Sequence, residues 1–433
     1  MVFDFLKYCL GNEVDMNELV AKMDWRELYD FAKKQALLGF CFQGIERLGN
    51  EYPKELRTNP IGQDLLMEWM GKAQQIRRRN MKVNVVAGKL YARLRNDGLR
   101  CCILKGQGNA LMYPEPYYRT PGDIDVWVNA ERAALTEYAK KHFVLGDDIR
   151  YHHLETTVDG VPVELHFMPG IMNNVVYNRR LQRWFKRNAD LQCSNVVELP
   201  DGAGEIAVPT MVFNVIYQLC HLYHHFFDEG IGMRQVIDYY FVVNDFYKVK
   251  ENFSKITPSL FTIKEGSTSH PDPLTLRGEG ETAPTRRFEP LRSKVGGPSE
   301  VSPDYLCGVN RLACDTSDAL ETLQRELKHL GLFKFAGAVM YVLHEVFGLS
   351  ENMMIAPKNE MEGIFLLDEI MRGGNFGQYD DRLGDKTDEG KVHRYFRMSL
   401  RNMRFVKHYP SEAICEPSFR TWFWAWKKLN VTK

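Results

Sequence analysis

Two aspartates one residue apart, placed after a glycine-containing turn, constrain this chain more than any other feature. The run Leu104–Asn109 reads Leu-Lys-Gly-Gln-Gly-Asn, and the Asp-x-Asp pair Asp123 and Asp125 follows it. Alternate side chains of a strand share a face, so the two carboxylates are expected to point one way while Ile124 and Val126 enter a core. Two carboxylates about 4 Å apart repel by ~4 kcal/mol at an effective dielectric near 20. Since shared oxygen ligands are the usual way that Mg²⁺ is held beside phosphates, the pair predicts a divalent-cation site.

A β-hairpin further along the chain supplies a third carboxylate. Two runs rich in strand-forming residues, Ile149–Val158 and Val161–Phe167, are separated by Asp159-Gly160, a strong two-residue turn signal. Alternation in the second run puts Glu164 and His166 on one face. If this hairpin pairs beside the Asp-x-Asp strand, Glu164 completes a three-carboxylate cluster. A two-metal phosphoryl or nucleotidyl transfer site requires such a set of ligands.

These motifs, in this order, resemble the nucleotidyltransferase superfamily related to DNA polymerase beta. More narrowly, the chain is similar to a bacterial family of uncharacterised nucleotidyltransferases. The resemblance is strongest from about Arg100 to Phe167 and rests on Leu104-Lys105-Gly106, Tyr113-Pro114-Glu115-Pro116, Arg119, Asp123-Ile124-Asp125 and Glu164-Leu165-His166. It implies an α+β fold, with a polymerase-beta-like core made of a small mixed sheet and helices. N-terminal helices, a C-terminal α-helical bundle and a disordered insertion are expected around that core.

The resemblance also implies roles for individual residues. Asp123, Asp125 and Glu164 match the metal-binding and catalytic carboxylates, with Glu164 also a candidate general base; two Mg²⁺ ions are expected, with Mn²⁺ as an alternative. The residues expected to bind the nucleotide are Lys105, Gly106, Gln107, Gly108, Arg119, His221 and Arg234. Gln107 departs from the pattern, because the superfamily more often has Ser or Gly there.

Two of the basic residues have structural alternatives that the sequence leaves open. Lys105 either neutralises a phosphate or is the last solvated residue of an edge strand. Arg119 either contacts a β- or γ-phosphate or pairs with a surface acid.

The same holds for residues on the helices that follow the hairpin. His221 and His225 are four residues apart, the spacing at which two imidazoles on a helix can share a metal ion. The sequence offers no third ligand for such an ion, so the simpler interpretation is that they are core or interface histidines. His221 and Arg234 are alternatively expected to line the nucleotide cleft. Arg234 and Asp238 are also four apart on a predicted helix and pair with each other in the simplest interpretation.

The reaction predicted from these motifs moves a nucleoside monophosphate from an NTP, with ATP favoured, to a hydroxyl acceptor and releases pyrophosphate. One alternative is a catalytically weak or inactive module that binds a nucleotide or a partner, which the unusual Gln107 favours. Another is a protein acceptor, as in nucleotidyltransferase antitoxins that adenylylate a partner. The acceptor itself is not identified by the sequence.

Composition makes several other classes of function less favoured, without excluding a nucleic-acid acceptor. The formal net charge is zero, which argues against a nucleic-acid partner or an anionic membrane surface. The chain has nine cysteines, an odd number, and no Cys-x-x-Cys motif. This pattern is expected of reduced thiols in a cytoplasmic protein. No apolar run approaches about 18 residues, and the N-terminus has no basic start, so neither a membrane span nor a signal peptide is predicted.

Periodicity along the chain divides it into four regions. The prediction is an N-terminal helical region over 1–97, a nucleotidyltransferase core over 98–200, and a C-terminal helical domain over 201–253 and 318–433, with a low-complexity insertion over 254–317. Within the first region, helices are predicted over 63–80 and 83–95; a short helix over 109–112 is predicted after the glycine turn.

The insertion carries its own prediction, because a segment rich in Pro, Gly, Ser and charge cannot bury enough apolar surface to offset its ordering entropy. Limited trypsinolysis is expected to cut first within 254–317, at residues such as Arg277, Arg286 and Arg287. A short Gly-Ser replacement should leave thermal stability and nucleotide binding nearly unchanged, since loop closure costs only ~0.6 kcal/mol per doubling of length. Loss of folding in that deletion would show that the segment is integral to the helical domain.

Overall fold

A five-stranded mixed sheet organises the middle of the chain in the computed structural model, which describes residues 1–256, 316–383 and 391–431. Its strand order is β1-β2-β5-β4-β3, with β2 and β5 parallel and the other neighbours antiparallel. Strands β6 and β7 form a separate two-stranded ribbon. The strands are β1 Cys101–Ile103, β2 Ile124–Val128, β3 Leu145–Ile149, β4 His153–Val158, β5 Val161–His166, β6 Val196–Glu198 and β7 Glu205–Ala207.

Helices precede and follow the strands along the chain. Those before and within the sheet region are α1 Val2–Cys9, α2 Met16–Lys22, α3 Trp25–Lys34, α4 Leu38–Glu51, α5 Pro53–Thr58, α6 Gln63–Asn96, α7 Gln107–Ala110 and α8 Arg132–His142. Those after it are α9 Val175–Gln192, α10 Met211–Asp228, α11 Met233–Ile256, α12 Thr316–His329, α13 Phe333–Phe347, α14 Glu360–Gly373, α15 Lys391–Met403 and α16 Pro410–Val431. The predicted α+β class, with a small mixed sheet and a C-terminal helical region, is confirmed.

Three local predictions need correction. The helices expected over 63–80 and 83–95 are one continuous helix, α6, because no glycine or proline separates the two apolar patterns. The helix after the turn spans Gln107–Ala110 rather than 109–112, since it begins directly at the turn glycine. The first run of the hairpin, expected from 149, is divided between β3 and β4, because the chain reverses direction at residues 150–152.

Two apolar cores hold these elements together. One is built around the sheet and the second half of α6, from residues such as Val86, Ile124 and Leu165. The other joins N-terminal helices to C-terminal ones, with Phe5 and Phe347 in the same buried cluster. A cavity lies where the sheet meets helices of the second core. The division into four sequence regions stays a prediction.

The predicted insertion lies almost entirely outside the described residues, which stop at 256 and resume at 316. The two helices that flank it, α11 and α12, contact each other and share buried residues of one core, among them Phe246 and Leu323. The described cysteines are all free, as predicted, and five of those seven are buried.

Within the described ranges, no single helix has the length and apolar character needed to cross a membrane. One bent pair, Ala319–His329 with Phe333–Phe347, passes that test only when its two members are taken together, at an angle of 120°.

The C-terminal helix is docked by a buried carboxylate, and this contact carries a pH prediction. Glu412 accepts hydrogen bonds from the backbone N–H groups of Asn173 and Asn174, and burial raises its pKa to about 7. A carboxyl whose pKa is higher in the folded state stabilises the fold fully below the unfolded pKa. That contribution is lost as the pH rises through the folded pKa. Stability should therefore fall by about 3 kcal/mol between pH 4 and pH 8 on this account.

Urea unfolding at a series of pH values measures this effect. The Glu412→Gln variant should show a flatter pH profile than the parent, whereas Glu13→Gln, an exposed control, should reproduce the parent profile. An unchanged slope in the Glu412 variant would contradict the prediction.

Candidate active site

The glycine turn places a lysine and a glycine at the end of strand β1. Gly106 has φ +63°, a left-handed conformation that glycine adopts without steric cost, and it begins the short helix α7. Lys105 precedes it and lines a cavity of about 450 Å³ between the sheet and helices α10 and α11. That volume lies within the range of roughly 300–1,000 Å³ typical of ligand pockets.

The register of the parallel strands brings two of the three predicted carboxylates together. Strand β2 pairs with β5 so that Asp125 lies opposite Glu164, and Ile124 and Val126 are buried on the other face. The prediction that the hairpin pairs beside the Asp-x-Asp strand is therefore confirmed. Asp123 precedes β2 and lines the same cavity.

Cations on both sides hold Asp125 in place. Its Oδ1 lies 3.2 Å from the Nζ of Lys105 and 3.1 Å from the Nε2 of His166. The same His166 nitrogen lies 3.1 Å from Oε2 of Glu164, so the imidazole bridges the two carboxylates. Burial alone would raise the pKa of Asp125, but the charge of Lys105 and the hydrogen bond from His166 lower it well below its usual value. Burial opposes the charged form of His166 too, yet its two carboxylate partners raise its pKa to about 9.

The other two carboxylates are in a different electrostatic state. Burial, followed by the negative charge of Asp125, raises the pKa of Asp123. Burial also raises the pKa of Glu164, against the hydrogen bond from His166. The Oδ2 atom of Asp125 is buried and has no hydrogen-bond partner among the described residues. An acceptor left open in this way beside two further carboxylates is a ready ligand for a cation.

Not every predicted ligand is equally close to the others. Among the described residues, Asp125, Glu164 and His166 have donor atoms that all lie within 4.8 Å of one another. Asp123 belongs to no such group, although it lines the cavity. Its role as a metal ligand stays a prediction.

Arg119 forms an ion pair with Asp238, which helical spacing had instead predicted to pair with Arg234. Its Nε and Nη2 each donate to Asp238 at 2.7 Å, and the hydroxyl of Tyr113 donates to the same carboxylate at 2.7 Å. The expected pair between Arg234 and Asp238 is therefore replaced, because Arg119 reaches Asp238 from the loop before β2. Its Nη1 is buried and has no hydrogen-bond partner in the described part of the chain, and Arg119 lines the cavity.

Arg234 also lies in the cavity wall, where it makes weaker contacts than Arg119 does. It donates to the carbonyl of Thr120 at 3.4 Å, and its guanidinium carbon lies 5.5 Å from the centre of the Phe376 ring. Phe376 comes from the C-terminal region and has φ +52°, an uncommon conformation outside glycine. Phe376 could not be identified from the sequence. The Gly-Gly-Asn-Phe-Gly segment that contains it looks like the glycine-rich end of a helix, and it does end helix α14.

Two residues of the glycine turn face away from the cavity. The Gln107 side chain is buried and hydrogen-bonds Asn84 on α6. A Cβ at Gly108 would lie 2.8 Å from Cγ1 of Val208, so this glycine allows close packing against the segment before α10. Neither lines the cavity. A contact of these two residues with a nucleotide, if made, involves their backbone N–H groups, which lack acceptors at the start of a helix.

Histidines form much of the remaining cavity wall. His221 lines the cavity, with its Nε2 3.0 Å from the Nζ of Lys105, and its role in nucleotide binding stays a prediction. His225 packs against His221 without completing a three-donor group among the described residues. Burial lowers the pKa of His221 and His225 well below the usual histidine value.

Sequence reasoning also missed His152, His153 and Glu155, which line the cavity from β4 and the turn before it. The sequence pattern that could have identified His153 and Glu155 is their spacing of two residues within the predicted strand run 149–158. Only the strand pairing shows that it faces the carboxylates. Arg79 of α6 is exposed and also reaches the cavity wall.

Comparison with known sequences adds one finding. The sequence model of a family described as "uncharacterised nucleotidyltransferase" matches residues 21–257, more than half of the chain. The match includes every strand of the sheet and helices α3 to α11, and it ends before Phe376. Neither the curated proteins nor the solved structures contain a significant match to this chain.

Proposed function

The chain belongs to the family of uncharacterised nucleotidyltransferases, and from this we propose that it transfers a nucleoside monophosphate from an NTP, with ATP favoured, to a hydroxyl acceptor. Pyrophosphate is the second product. The observation that carries the proposal is the pairing of Asp125 with Glu164 on adjacent strands, in a cavity that Asp123 also lines.

The donor set fits a divalent cation such as Mg²⁺. Asp125 keeps one buried oxygen that forms no hydrogen bond with any residue the structure describes, and Glu164 lies beside it. Asp123, Asp125 and Glu164 would hold the ions, with Mn²⁺ as an alternative to Mg²⁺. When bound, such ions neutralise phosphate charge and polarise the reacting phosphoryl group.

Cationic side chains of the cavity are suited to hold the triphosphate. Lys105 lies against Asp125, Arg234 has no carboxylate within ion-pair distance among the described residues, and Arg119 retains one uncommitted nitrogen. Binding of all three to phosphate oxygens would fix the α-phosphorus near the carboxylates. His221 helps to position the Lys105 ammonium group, because it lies within hydrogen-bond distance.

Glu164 is the proposed general base. Burial raises its pKa, which makes its carboxylate a stronger proton acceptor than an exposed glutamate. It takes the proton of the acceptor hydroxyl as that oxygen forms a bond to the α-phosphorus and the bond to pyrophosphate breaks. His166 orients Glu164 by its hydrogen bond.

Incubation of the purified full chain with α-labelled NTPs, Mg²⁺ and a panel of acceptors tests the proposal. The panel contains sugars, aminoglycoside-type alcohols, proteins and nucleic-acid ends, and both label transfer and pyrophosphate release are measured. Transfer that disappears in the Asp123→Ala/Asp125→Ala double variant supports the assignment. Full transfer in that variant would refute it.

Calorimetry with each NTP separates an enzyme from a binding module. Mg²⁺-dependent binding with no pyrophosphate release over long incubation identifies a non-catalytic module. Label that appears on a co-incubated protein identifies a protein acceptor.

A further inference from the structure

Four side chains from two neighbouring strands form a second group of donors beside the carboxylate pair. In the antiparallel register of β4 and β5, His153 lies opposite His166 and Glu155 lies opposite Glu164. The members of each strand are two residues apart, so all four side chains share one face of the sheet. The result is a square of two imidazoles and two carboxylates, which we call the His-Glu square.

The distances within the His-Glu square are short. Oε2 of Glu164 lies 3.1 Å from Nε2 of His166 and 3.4 Å from Nδ1 of His153. Oε1 of Glu155 lies 3.5 Å from Nε2 of His153. Two ligands on one tetrahedral Zn²⁺ ion, each about 2.0–2.1 Å from the metal, are separated by roughly 3.4 Å. Among the described residues, His153, Glu155 and Glu164 each have a donor atom within 4.8 Å of the other two, so these three side chains are close enough to share one ion.

An unsatisfied buried nitrogen points to a ligand at this place. His153 is only 6% exposed, and its Nδ1 has no hydrogen-bond partner among the described residues despite its closeness to Glu164. Buried polar atoms in folded proteins are nearly always bonded. Glu155 is paired with Arg150 through Oε1, at 3.1 Å, and this contact leaves its other oxygen for a ligand.

We propose that His153, Glu155 and Glu164 bind a divalent transition-metal ion, with Zn²⁺ the best match. Imidazole nitrogens suit Zn²⁺, whereas Mg²⁺ prefers six oxygens in octahedral geometry. This site shares Glu164 with the magnesium ligands proposed above but not Asp123. It is a binding site in its own right and does not require the transfer reaction to be correct.

Cobalt serves as the probe, because Co²⁺ takes the place of Zn²⁺ and absorbs visible light when bound with low coordination number. Metal-free full chain is titrated with CoCl₂, and the bound ion is then displaced with Zn²⁺ or with excess Mg²⁺. We expect saturable visible absorption at one ion per chain, which Zn²⁺ abolishes and Mg²⁺ does not. Absence of these bands, or equal displacement by Mg²⁺, would overturn the proposal.

Variants locate the ion. His153→Ala and Glu155→Gln should each weaken Co²⁺ binding by at least about tenfold, whereas the exposed controls His329→Ala and Glu205→Gln should not change it. Glu155 has a side chain that is 35% exposed, so its isosteric variant should fold even if the histidine variant does not; circular dichroism checks both. Unchanged affinity in a folded Glu155→Gln protein would refute the site.

A third variant separates this inference from the proposed reaction. Asp123→Asn lies outside the His-Glu square and should keep Co²⁺ binding even where nucleotidyl transfer is lost. Cobalt binding without any transfer by the parent protein would refute the proposed reaction alone. Transfer by the parent without cobalt binding would refute the metal site alone.

Discussion

Replacement of Asp125 by Asn is expected to lower nucleotidyl transfer by about 10³-fold, equivalent to about 4 kcal/mol of transition-state stabilisation. The amide has the size of the carboxylate but no charge. It would leave Lys105 and His166, which lie 3.2 Å and 3.1 Å from Oδ1, without their shared anion. The cavity would then bind a divalent cation less tightly, and the phosphates would lose a positioned lysine.

Initial rates of pyrophosphate release at saturating Mg²⁺ measure this loss. Asp30→Asn, an exposed aspartate on α3, is the matched control and should keep the parent rate. A thermal melt of each variant shows whether the fold is retained. A folded Asp125→Asn protein with the parent rate would exclude Asp125 from the reaction.

Replacement of Asp238 by Asn is expected to destabilise the protein by about 3–5 kcal/mol. Arg119 is 3% exposed and donates twice to this carboxylate, so the change would leave a buried guanidinium without its counter-charge. Tyr113 would lose its charged acceptor as well. Since Arg119 and Asp238 both line the cavity, nucleotide binding should weaken along with stability.

Asp368→Asn is the natural control for this change. Asp368 pairs with Arg372 on the surface of α14, where both side chains are about half exposed. A surface ion pair contributes only about 0–1 kcal/mol, so this variant should unfold at nearly the parent urea concentration. Similar losses in the two variants would contradict the role assigned to the buried pair.

The sequence was most informative where the determinants are local. The Asp159-Gly160 turn and the alternation around Glu164 both predicted observed features, because turn chemistry and side-chain period depend on near neighbours. The three-carboxylate cluster was conditional on the hairpin lying beside the Asp-x-Asp strand, and that condition is met, with Asp125 opposite Glu164.

What the sequence did not reveal depends on tertiary contacts. The partner of Asp238 is Arg119, more than a hundred residues away, and helical spacing favoured Arg234 instead. The direction of Gln107 depends on Asn84 of a helix that precedes it. Phe376 reaches the cavity only because the C-terminal helices pack against the N-terminal ones.

The two-residue turn between β4 and β5 has a consequence for tolerance of insertions and deletions. Asp159 and Gly160 both have positive φ, as a tight hairpin turn requires, and they lie at the far end of β5 from Glu164 and His166. One residue gained or lost within β5 would exchange its two faces, so that Val163 and Leu165 would face the cavity while the acid and the imidazole entered the apolar core. Amino-acid substitutions in the solvent-facing part of this hairpin should be accepted freely, but a change in the number of residues in β5 should not. Strand length is thus under stricter constraint here than side-chain identity.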